Sequence, residues 1–113
     1  MKLSIEDQVS YLIYLLSDIF KFYQITDVKN NIEFNQNPGI TKFSLSYSPI
    51  NTINVEKLED DLHEYIRSIF TTGDVYVFIN TNILIIFENE MIEEFYDKAT
   101  SFTRERKIKN LLS

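Results

Sequence analysis

The chain has 113 residues, 44% of them hydrophobic and 14% aromatic, which suits one buried core and argues against a disordered polymer. Its formal net charge of −6 opposes binding to a phosphate backbone, which needs clustered cations. With no Cys and a single His, a disulfide scaffold and a zinc site are both out of reach, and a reducing, cytoplasmic setting is expected.

Sixteen isoleucines against one alanine favour strands and bulky packing over a thin helical bundle. Met1-Lys2-Leu3 leads directly into an amphipathic pattern with no basic and apolar leader, so a signal peptide is not expected. The densest apolar stretch, Tyr11 to Tyr23, is interrupted by Ser17, Asp18 and Lys21 and is too short and too polar to span a bilayer.

Ser4 reads as an N-cap, with Asp7 in the capping-box position. Ile5, Val9, Leu12, Ile13, Leu16, Phe20 and Tyr23 follow helical spacing and predict one helix over residues 4–24. A second stripe of Tyr11, Leu15 and Phe22 widens its apolar surface past half the circumference. Such a helix is either central to its own domain or shared with a second copy, which makes these three residues candidates for self-association.

Ile32 and Phe34 alternate with Glu33 and Asn35 as in a half-buried strand, and Asn37-Pro38-Gly39 suits a tight turn. Phe43, Leu45 and Tyr47 alternate with Lys42, Ser44 and Ser46, so a second strand closes a hairpin. Asn54 then caps a helix running to Phe70, with Val55, Leu58, Leu62, Ile66 and Ile69 on one face.

Val75 to Ile79 and Ile83 to Phe87 are unbroken apolar runs flanking Asn80-Thr81-Asn82. Their lack of alternation predicts a second hairpin in the middle of the sheet, buried on both faces. Asn89 caps a last helix with Ile92, Phe95, Tyr96, Ala99 and Phe102 inward. Beyond Thr103 the register falters, and residues 104–113 read as a frayed extension or a separate short helix. The expected fold is therefore a single α+β domain over residues 1–113. It has a four-stranded antiparallel sheet of two hairpins and three helices, in the order α-β-β-α-β-β-α.

Most chemistry lacks its residues. Two glycines, Gly39 and Gly73, stand too far apart for a phosphate-cradling loop. His63 sits among acids on a helix exterior, where solvation is the ordinary outcome, and no Ser or Thr is marked as its nucleophilic partner. The many carboxylates line amphipathic exteriors rather than a concave apolar setting that would raise a pKa. No catalytic residue, metal or cofactor is expected.

What remains is charge. Arg104, Arg106, Lys107 and Lys109 against Glu105 make a local +3 at the C-terminus, which leaves −9 of the formal −6 for residues 1–103. The middle helix carries Glu56, Glu59, Asp60, Asp61 and Glu64 against Lys57 within one short span. Glu56/Asp60 and Asp60/Glu64 are like-charge i,i+4 pairs that destabilise a helix, so local stability does not account for them.

These five acids are the candidate partner-binding residues, and the expected partner is a basic protein. The function this favours is a small acidic protein-binding module. Its best match is an inhibitor or immunity-type protein that neutralises a basic enzyme such as a nuclease toxin, and the Ile-, Asn-, Lys- and Tyr-rich composition suits bacterial or phage accessory DNA. The alternative is a homodimeric structural or chaperone-like protein joined through Tyr11, Leu15 and Phe22. Neither direct nucleic-acid binding nor membrane association is expected.

Overall fold

The computed structural model describes residues 3–31 and 35–112. The elements in chain order are α1 (Ile5–Leu15), α2 (Ser17–Phe22), β1 (Ile25–Asn30), β2 (Asn35–Asn37), β3 (Ile40–Pro49), α3 (Val55–Ile69), β4 (Asp74–Ile79), β5 (Ile83–Glu88) and α4 (Glu90–Leu112). All strand pairs are antiparallel, in the order β1-β3-β5-β4, with β2 added beside β3. The α+β class with an antiparallel sheet stands. Among the described residues the sheet has five strands and the helices number four, where four and three were expected.

The additions have local causes. The first helix is divided at Leu16, whose φ of −97° and ψ of 5° leave the helical basin. Ser17 Oγ donates to the Tyr14 carbonyl at 2.8 Å at this break, a side-chain bond of the kind that competes with the helical ladder. Gln24, at φ 57°, then ends α2 in the left-handed conformation that glycine more often supplies. The strand expected at Ile32 and Phe34 lies outside the described residues, apart from its end, Asn35, where β2 begins. β1 was not expected. It pairs Ile25 with Pro49 and Lys29 with Ser46, and between them a bulge with Asp27 at φ 54° breaks the period of two.

The helices cover one face of the sheet, where Phe43, Leu45, Ile83, Ile85 and Phe87 are all fully buried. Register stacks these residues across strands, Phe43 opposite Ile85 and Leu45 opposite Ile83. Leu58, Leu62 and Ile66 of α3 seal against them, as the helical spacing predicts. Phe95 of α4 is the aromatic hub, with Phe87 stacked at 4.8 Å and Phe43, Tyr11 and Phe70 at 5.4, 5.4 and 5.9 Å between ring centres.

Burial of β4 and β5 on both faces is overturned. β5 lies inside the sheet, but β4 is its outer strand, and Tyr76 and Phe78 on the face away from the helices remain 43% and 52% exposed. Both runs are apolar on each side, so their composition could not reveal that one side is open. The basic tail also resolves into order, because α4 continues without a break through residues 104–112. Asn89 takes the left-handed conformation at φ 57°, which suits Asn at the junction between β5 and α4.

Candidate functional site

α3 forms where it was expected because Asn54 Oδ1 accepts the Lys57 amide at 3.1 Å and the apolar stripe then buries in register. One face is thereby fixed inward, and a rotation of 100° per residue assigns every other side chain its direction. The five acids consequently divide into three groups.

Glu59 turns toward the sheet edge, where its Oε2 accepts the Ile79 amide at 2.7 Å. It thus satisfies one donor of the outer strand. Asp61 turns the other way, toward α2, and its Oδ2 accepts the Tyr23 hydroxyl. Glu56, Asp60 and Glu64 form the exposed outer row, one helical turn apart. None of these three has a hydrogen-bond or ion-pair partner among the described residues. His63 is exposed beside them.

The contact of Tyr23 with Asp61 joins α2 to α3 and leaves a groove of about 450 Å³ between the two helices. Its lining includes the apolar and aromatic side chains of Ile19, Phe22, Tyr23 and Tyr65. Its rim carries Asp18 from α2 and Asp61 and Glu64 from α3, with no Lys or Arg among the lining residues. Phe22 is 73% exposed, and Lys57 Nζ lies 5.9 Å from the centre of its ring, within cation–π range. The Tyr23 hydroxyl is pushed up to about 12 by partial burial, then by the hydrogen bond to Asp61 and the negative charges of Asp61 and Asp60. The Tyr23 phenol therefore stays neutral below that value.

Tyr11, Leu15 and Phe22 do not share a surface. Tyr11 is buried against Phe95 and Phe102 of α4, Leu15 is half-buried at the core margin, and only Phe22 is exposed. Burial raises the Tyr11 hydroxyl pKa above its ordinary value, with Tyr65 and Tyr14 adding to the effect. On α4, Glu94 is taken up internally, its Oε1 accepting the Thr71 and Thr72 amides at 3.1 and 3.3 Å and the Thr72 hydroxyl at 2.9 Å. Among the described residues no three His, Asp or Glu side chains are grouped to hold a metal ion, and no helix is long and apolar enough to cross a membrane.

Sequence reasoning missed Asp18, Ile19, Tyr23 and Tyr65 as parts of one site. The available signal was faint. Asp18 and Phe22 lie four apart on one helix, Asp61 and Tyr65 four apart on another, so each pair shares a face. Nothing in the sequence brings the two faces together. No family model, curated protein or solved structure matches this chain.

Proposed function

We propose that this chain is a small acidic protein-binding module that neutralises a basic partner, with an inhibitor or immunity-type role against a basic enzyme such as a nuclease as the best fit. The observation that carries this reading is the row of Glu56, Asp60 and Glu64. The three carboxylates stand exposed on one face of α3 without a hydrogen-bond or ion-pair partner among the described residues, and Glu64 also lines the groove that Asp18 and Asp61 border.

A row of this kind raises encounter rates with a positive surface and repels acidic competitors. It also stands on a helix anchored at both flanks, by Glu59 to β4 and by Asp61 to Tyr23, so little ordering remains to be done on binding. No reaction is proposed, because the acids either face water in an open cleft or are held by internal donors. Dimerisation through the first helix has less support, since Tyr11 is already engaged with α4.

The test is inhibition of a panel of purified basic ribonucleases and deoxyribonucleases by the chain and by its Glu56→Lys/Asp60→Lys variant. The expected result is inhibition that falls steeply with added salt and disappears in the variant, whose circular dichroism stays unchanged. Inhibition equal in both proteins, or indifferent to salt, would refute the proposal.

A further inference from the structure

We infer that the groove between α2 and α3 seats one arginine side chain of the basic partner. This deepens the acidic-module reading and rests on it. Three features of the groove converge on a guanidinium.

First, the charge is one-sided. Asp18, Asp61 and Glu64 contribute three carboxylates from two helices, with no cation among the lining residues. An apolar side chain placed there would strip water from these carboxylates and return no partner, and a phosphate would be repelled.

Second, aromatic surface is supplied from both sides, by Phe22 at the end of α2 and Tyr23 just after it, and by Tyr65 on α3. A guanidinium is planar and weakly hydrated, so it stacks on such rings while its fork of N–H groups reaches carboxylates at its edge. A lysine ammonium is a compact, strongly hydrated point charge that lacks the planar face and fixed fork needed to stack on a ring and pair bidentately with a carboxylate together.

Third, the chain already places a cation on this surface. Lys57 Nζ lies 5.9 Å from the Phe22 ring centre, and with Lys57 in that position the groove of about 450 Å³ is still present. The outer ring therefore already has positive charge over it, and the space between Tyr23 and Tyr65 stays open to a second cation. That volume falls in the range of roughly 300–1,000 Å³ typical of ligand clefts, enough for one long side chain with its flanking backbone. Tyr and Arg are also, with Trp, the residue types enriched at the energetic centres of protein interfaces.

Asp61 has a second part here. With Tyr23 donating to one of its oxygens, the carboxylate is oriented and has further lone pairs for an incoming N–H.

The experiment is an NMR titration of the isotopically labelled chain at low salt with the capped tripeptide acetyl-Gly-Arg-Gly-amide and its lysine and citrulline counterparts. The arginine peptide is expected to shift amides clustered at residues 18–23 and 61–65 and to bind more tightly than the lysine peptide. The neutral citrulline peptide is expected to leave them in place. Tyr65→Ala should weaken the arginine peptide about two- to fivefold, the factor that an exposed cation–π contact supplies. Glu64→Gln, a surface change without effect on packing, should weaken it as well.

Equal affinity for arginine and lysine peptides, shifts confined to residues 56–60, or indifference to both substitutions would each overturn the assignment. A silent groove accompanied by nuclease inhibition that still depends on Glu56 and Asp60 would remove the arginine seat alone. Loss of both would remove the acidic-module reading with it.

Discussion

Replacing Asp60 by Asn should make this protein more stable and a poorer binder at the same time. Asp60 is exposed, has no partner among the described residues, and stands four residues from Glu56 on one side and from Glu64 on the other. Each like-charge pair at that spacing costs about 0.2–0.5 kcal/mol, so the two together cost about 0.4–1 kcal/mol. Lys57, three residues before Asp60, returns part of this through an attraction of similar size in the less favourable orientation. Asp and Asn differ little in helix propensity, which leaves a net gain of roughly 0.5 kcal/mol, or about 2 °C in Tm for a domain of this size. Urea denaturation followed by circular dichroism resolves such a shift when wild type and variant are run side by side. The gain should vanish at about 1 M salt, where the screening length falls to roughly 3 Å. The same variant should inhibit a basic nuclease less well, with a shallower dependence on salt. A variant that is neutral or less stable at low salt would refute the reasoning, since the strip would then be no burden on the fold and would need no function to account for it.

Two further substitutions test the frame that holds the strip. Gly73, at φ 76°, packs so closely that an added Cβ would meet the Met91 nitrogen at 2.3 Å and the Glu88 carbonyl oxygen at 2.6 Å, both backbone, whereas at Gly39, φ 79°, the nearest atom is Asn89 Oδ1 at 4.0 Å. Both Ala variants carry the left-handed penalty of about 1–2 kcal/mol, partly offset through the unfolded chain, and only Gly73→Ala adds an overpacking penalty of about 1–3 kcal/mol; equal urea midpoints for the two variants would contradict the close approach. Tyr23→Phe probes the link between the helices through pH. Because the folded-state pKa of Tyr23 is raised from 10.0 to about 12, its contribution is complete below pH 10 and is lost as pH climbs from 10 to 12. The variant should therefore lose less stability than wild type across that window, with the share due to Tyr11 persisting in both, and parallel curves would argue against the Tyr23–Asp61 bond.

How much of this was legible depends on how far each feature is a local matter. α3 could be read to its caps because one stripe, one Asn and one uniformly polar face all agree. The break at Leu16 could not, since Leu16 continues the apolar register of both halves and only the Ser17 hydroxyl bonded back to Tyr14 accompanies it. β1 escaped because Asp27 sits in a bulge, which puts Ile25 and Val28 three apart where a regular strand spaces its inward residues by two. β4 and β5 misled through sheer apolarity, with Tyr76, Phe78, Leu84 and Ile86 facing away from the helices. The acids of the site were visible and the groove was not. Tyr23 and Asp61 are 38 residues apart, and their meeting is a product of tertiary packing.

The way the internal carboxylates are held bears on why this surface stays so negative. Glu59, Asp61 and Glu94 all have internal partners, and every one of those partners is a neutral donor: the Ile79 amide, the Tyr23 hydroxyl, and the Thr71–Thr72 amides with the Thr72 hydroxyl. Lysine or arginine would orient a carboxylate equally well, through a stronger bond, and would cancel its field in doing so. An amide or a phenol fixes the group and leaves the charge in place. Structural support for α3 is thus achieved without neutralising the face it presents, and the −9 carried by residues 1–103 remains available to act on whatever approaches. Four of the chain's eleven cations, Arg104, Arg106, Lys107 and Lys109, gather on the last turns of α4, while on α2 and α3 Lys21, Lys57 and Arg67 leave the acids in excess.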